Sequence, residues 1–191
     1  MRSGFIMIAT TNLFMLLSSV MIAQNTTLNK NNSNIPTKMN HSKEEYLGHQ
    51  VFVSFQKKDE TLWVKLFPTD EEFKEILQLM LTQKMDDLTQ EKIDEMMAHR
   101  KEEAAAVYQS EFDNFLKQAD SIGVDWKTAV YEKFDFLPYL PTDFPRKYLD
   151  GDIWCSCKKL HFVIEGVEAI ETPSGFKLQS IKDIRQVDDG D

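Results

Sequence analysis

The usual grammar of catalysis is missing from this chain. It contains no Gly-x-Ser-x-Gly elbow, no glycine-rich phosphate loop and no His-Glu-x-x-His helix. Its histidines, His41, His49, His99 and His161, are scattered, and none has a second histidine at His-x-x-x-His spacing. Positive charge is also in deficit. Lysine and arginine number 22 against 31 acids, a formal charge of -9. An acidic surface repels a phosphate backbone, which sets nucleic acid aside as a partner. Arg146-Lys147 and Lys158-Lys159 are small basic clusters, and Asp143, Asp150 and Asp152 lie near them.

Long apolar runs are missing too. The apolar opening stretch, Phe5 to Ala23, is broken by Thr10, Thr11 and Asn12. A membrane span needs roughly 20 predominantly apolar residues. Arg2 is the only charge before Lys30. A positive start, a short apolar stretch and a small terminal residue form the pattern of a secretory signal. The expected cut falls between Ala23 and Gln24, although Met21 is bulky for its position. Residues 1–23 are thus read as a signal peptide, leaving no stable membrane anchor after cleavage. The expected location is secreted or periplasmic. Residues 24–41 are rich in asparagine with little to bury, which predicts a disordered linker. Asn-x-Ser/Thr triplets start at Asn25, Asn31 and Asn40, as chance permits in such a tract.

Residues 42–186 have the size of one domain, followed by an acidic tail, 187–191, expected to fray. Ser42-Lys-Glu-Glu45 is a capping box. Leu47, Val51 and Phe55 follow at helical spacing, although Val51, Val53 and Phe55 also alternate as in a strand. Thr69-Asp-Glu-Glu72 is a second capping box, and Phe73, Ile76, Leu77, Met80 and Leu81 fit a helical stripe fully. A third, longer helix starts near Thr89 and ends at Gly123. After Trp126 the period changes to two. Val130, Phe134 and Phe136 predict a strand, Leu137 to Asp152 an irregular crossing loop with three prolines, and Ile153 to Ile170 an extended piece with a bulge at Gly166. Thr172-Pro-Ser-Gly175 predicts a turn into a returning strand, 176–181. Helices first and strands afterwards imply an α+β fold: N-terminal helices packed on one face of a curved antiparallel sheet formed by the C-terminal half.

Three stretches carry a resemblance: Leu66-Phe-Pro-Thr69 with Asp-Glu-Glu-Phe73 after it, the Gly-Val-Asp-Trp126 entry to the sheet, and the hairpin around Thr-Pro-Ser-Gly175. On these the chain resembles small exported bacterial proteins of unassigned function. Its element order is similar to the cystatin-like and nuclear-transport-factor-like layouts, where helices cradle a curved sheet. Cystatin-type inhibitors use Gln-x-Val-x-Gly. The nearest string here is Gln50-Val-Phe-Val-Ser54, without that spacing or the glycine, so cystatin-type inhibition is not implied. The nuclear-transport-factor-like superfamily often places an Asp-His pair in the sheet cavity, and none maps onto this chain.

Two local groupings merit a chemical reading. Cys155, Cys157 and His161 share one face of an uninterrupted strand, and two thiolates with an imidazole suit a soft metal ion. No fourth ligand is evident, and His161 lies about 13 Å from Cys157 along an ideal strand. A disulfide between residues two apart on a strand would be strained. The preferred alternative is a pair of small reduced residues on a buried face. Tyr139, Phe144, Tyr148 and Trp154, in and beside the crossing loop, would rim a pocket or a partner surface, or else pin that loop. No cofactor is indicated. The expectation is a non-enzymatic binding module holding a protein partner or a small apolar ligand between helices and sheet. The alternatives are a cavity enzyme using acids and His161, or an acidic inhibitor or immunity-type protein that masks a basic surface.

Overall fold

A computed structural model describes residues 42–84, 88–140 and 144–187. Residues 1–41, where a signal peptide and a linker are expected, lie outside the described residues, as do Asp143 and residues 188–191.

Helix α1, Lys43–Lys57, begins where Ser42 Oγ accepts the Glu45 amide at 3.1 Å. The cap decides between helix and strand here, and Leu47, Val51, Phe52 and Phe55 turn one buried face inward. A short helix follows, α2, Glu60–Lys65, capped by Asp59, whose carboxylate accepts the Leu62 amide at 2.9 Å. Helix α3, Asp70–Thr82, carries the full reciprocal capping box. Thr69 Oγ1 accepts from the Glu72 amide at 3.2 Å, and Glu72 Oε2 accepts from the Thr69 amide at 2.9 Å. Helix α4, Gln90–Ser121, ends on Gly123 at φ 85°. There the Val124 amide reaches Ala119 O and the Gly123 amide reaches Asp120 O, the two closing bonds of a Schellman end. Glu102, Glu103 and Asp113 on α4 are exposed, while partial burial of the Glu111 carboxyl raises its pKa.

The C-terminal half is a curved, unclosed antiparallel sheet of five strands: β1 Ala129–Tyr139, β2 Tyr148–Cys157, β3 Leu160–Thr172, β4 Gly175–Ser180 and β5 Asp183–Val187. β3 pairs β2 along one side and β4 and β5 along the other. The fold is therefore the α+β arrangement read from element order.

Three local expectations need correction. Ile153 to Ile170 is not one extended piece. It is a hairpin whose two-residue turn is Lys158-Lys159, with Lys158 at φ 58° and Cys157 opposite Leu160. The irregular crossing loop is shorter than 137–152, because β1 runs through Pro138 to Tyr139 and β2 starts at Tyr148. Proline fits at 138 because β1 is the sheet's edge and no further strand needs its missing N–H. Val187 does not fray. It is buried and pairs with His161 at the end of β5, a strand the sequence reading did not anticipate. Between helices and sheet lies a packed aromatic core. Phe55 stacks on Phe112 at 5.3 Å and on Trp126 at 5.5 Å, with Trp63 at 5.3 Å beside it.

The bulge at Gly166 is present. Register between β2 and β3 shifts where Gly151 faces Val167 and Ile153 faces Ile164, and Gly166 sits at φ 64° with its amide on Asp152 Oδ1 at 2.9 Å. Only a residue without a Cβ takes that conformation at little cost.

Candidate ligand groove

The sequence-derived metal set comes apart because of the Lys158-Lys159 turn. Cys155 and Cys157 point from β2 into the core, opposite Phe162 and Leu160. His161 sits on the return strand opposite Ser156, on the other face, half in solvent and 3.8 Å from Glu132. Cross-strand partners share a face, so thiols and imidazole face opposite ways. Among the described residues no three His, Cys, Asp or Glu side chains are grouped to hold a metal ion. Both thiols are free. Burial, with the Glu132 charge adding to it, pushes the Cys155 thiol far above its ordinary range. Cys157 Sγ instead anchors the turn before β1, receiving the Asp125 amide at 3.4 Å and facing the Thr128 hydroxyl at 3.3 Å.

The aromatic rim is corrected as well. Phe144 and Tyr148 are buried, at 2% and 6% exposure, and cannot line an open surface. Tyr139 stacks on Tyr148 at 5.6 Å and Phe144 packs on it at 5.7 Å. The pieces around the loop are tied down further by the Arg146–Glu75 ion pair and by the Glu171 amide on Lys147 O at 2.8 Å. Three of the four aromatics therefore pin the loop. Trp154 is remote from them on β2, with the Lys133 ammonium 5.4 Å from its ring centre.

An open groove of about 490 Å³ lies elsewhere, where the start of α1, the helix α2 and the β3–β4 turn converge. Its apolar floor is Leu47, Leu62, Leu66 and Phe176, with the ring of Tyr46, 58% exposed, at its side. The local sequence explains each contribution. The Ser42 cap starts α1 so that Lys43, Tyr46 and the buried Leu47 all line the groove. The Asp59 cap starts α2 one turn before Leu62. The Leu178 amide donates to Leu66 O at 2.7 Å and moors β4 against the end of α2. Pro173-Ser-Gly175 forms the turn, with Gly175 at φ 121°.

Glu72 supports the groove from behind. Its Oε1 accepts hydrogen bonds from Thr172 Oγ1 and Ser174 Oγ, both at 2.6 Å, while its Oε2 serves the capping box. Burial alone would raise this carboxyl's pKa. The bonds from Ser174, Thr172 and Thr69, with the Lys177 charge, outweigh it and hold the group below its ordinary value. The turn is therefore fixed to α3 through an ionised side chain.

The charged side chains that line the groove are all lysines: Lys43, Lys65 and Lys177. Lys177 Nζ donates to Lys65 O at 3.1 Å, which draws its ammonium to the end of α2. That is the favoured place for a cation, at the negative end of a helix. Sequence reading found the turn at 173–175 but not the groove, whose walls come from three separated segments.

No protein-family model, curated protein or solved structure matches the chain.

Proposed function

We propose that this chain is an exported, non-enzymatic binding module that holds its ligand or a partner's side chains in the groove between α1, α2 and the β3–β4 turn. The observation that carries this reading is the groove itself. Its volume of about 490 Å³ and mostly apolar floor with a few placed polar groups suit a small-molecule site. Export rests on the signal pattern of residues 1–23, and no described helix is long and apolar enough to cross a membrane. The catalytic alternative draws no support from His161, whose pairing with Glu132 is in the open rather than in a pocket.

The test is a mass spectrum of the protein recovered from its own host, recorded under denaturing and native conditions. The expected result is a chain lacking residues 1–23 that carries a non-covalent adduct, with the adduct lost in a Leu62→Arg variant. A chain retaining residues 1–23 contradicts export, and an adduct indifferent to Leu62→Arg contradicts the site.

A specific feature favours a second reading, the acidic inhibitor or immunity-type protein. On the sheet face opposite the helical core, Asp135 pairs with Asp152 and Asp150 with Glu168 in neighbouring rows. Such a face would mask a basic surface through a salt-sensitive complex.

A further inference from the structure

We infer that the groove's occupant is a single-chain amphiphile with an anionic head, carboxylate or phosphate, a deduction that rests on the binding reading above. Charge carries the argument. The chain has more acids than bases, 31 against 22, yet the charged side chains lining this groove are lysines throughout. Among the described residues, no acid lies within ion-pair distance of Lys43, Lys65 or Lys177. The Lys177 charge is shared with Glu72 and with Lys65 O, whereas Lys43 and Lys65 have no such partner among the described residues. Ammonium groups without an ion-pair partner beside an apolar floor suit a ligand with one anionic end and one hydrocarbon end.

Other occupants fit less well. An extended peptide would need a free strand edge, but the β4 backbone at the groove is already engaged by the Leu178–Leu66 bond. The preceding part of the chain has the wrong sign. No aspartate or glutamate occurs before Glu44, and the ordinary charges there are Arg2, Lys30, Lys38 and Lys43.

The test measures binding of dodecanoate, dodecyl phosphate, dodecanol and dodecyltrimethylammonium by titration calorimetry, at concentrations where each is monomeric. The protein is the chain from Gln24 and its Lys43→Glu/Lys65→Glu double variant. Circular dichroism checks folding, and Lys43→Gln/Lys65→Gln serves as a milder second variant. The expected result is that the anions bind about tenfold tighter than the alcohol, as charge-assisted hydrogen bonds would give. The double variant should lose that preference while keeping its affinity for dodecanol. Equal binding of anion and alcohol, or a preference that survives charge reversal, overturns the anionic head and leaves the groove as a binding site. No binding by any of the four amphiphiles overturns the groove reading itself.

Discussion

The Thr172 hydroxyl donates to the Glu72 carboxylate at 2.6 Å across a separation of 100 residues. With Ser174 doing the same, one side chain starts helix α3 and ties the β3–β4 turn to it. Glu72→Gln should lower stability by about 1–3 kcal/mol, because a carboxylate accepting several hydrogen bonds is replaced by an amide that matches them poorly. The carboxyl's folded pKa lies below its ordinary 4.5. Its contribution is therefore complete above that value and is lost as pH falls through the lower folded value. Urea unfolding of both proteins from pH 7 to pH 3 checks this. The gap between them should narrow only in the acid part of the range.

Glu168 should behave in the opposite sense. Burial raises its pKa, the Asp150 charge opposite adds to this, and the Ser180 hydroxyl only partly relieves it. The ionised form is thus less favoured in the folded chain than in the unfolded one. Glu168→Gln, which still accepts from Ser180, should raise the melting temperature at pH 7. The gain should shrink as pH falls through the raised folded pKa and vanish below the ordinary 4.5. Thermal melts across that range read it directly.

The chain's tryptophans offer a paired comparison. Trp63 Nε1 donates to Tyr108 O at 2.9 Å, whereas the buried Trp126 Nε1 has no hydrogen-bond partner among the described residues. Each indole packs against Phe55. Trp→Phe at 63 leaves a smaller ring and an unmatched carbonyl, and should cost about 2–4 kcal/mol. At 126 the same change removes an unsatisfied donor, and should cost about 1 kcal/mol less than at 63. Chemical denaturation of the two variants decides it.

Arg100 joins α4 to the start of α3. Its guanidinium donates to Asp70 at 3.0 Å, to the Tyr108 hydroxyl at 2.8 Å and to Pro68 O, and lies 4.4 Å from the centre of the Phe73 ring. Arg100→Lys keeps the charge but loses the planar fork, and should cost about 1–3 kcal/mol in urea unfolding.

These contacts show which parts of the fold are legible in the sequence. Helix α3 is readable because Thr69, Glu72 and the 73–81 stripe agree about one structure at two levels. The β2–β3 hairpin is not, because Lys158-Lys159 has none of the Gly, Asn or Pro chemistry that marks tight turns. That single illegible turn is also what separates His161 from the cysteines, so the missed hairpin and the mistaken metal set have one cause. β5 is hidden because a five-residue strand with two buried positions, Ile184 and Val187, shows too little alternation. The groove is illegible for a different reason. Lys43, Lys65 and Lys177 converge only through tertiary contacts such as Leu178 to Leu66 O, and no local pattern encodes that convergence.

The most direct test of the central claim is an amide-resolved NMR titration of the chain from Gln24 with dodecanoate. The account predicts shift changes concentrated at Tyr46, Gln50, Leu62, Gly175 and Lys177, saturating together with one dissociation constant. Changes confined to the exposed apolar residues Val130 and Leu137 of β1 and Leu140 just after it, or no saturable change at all, would contradict it.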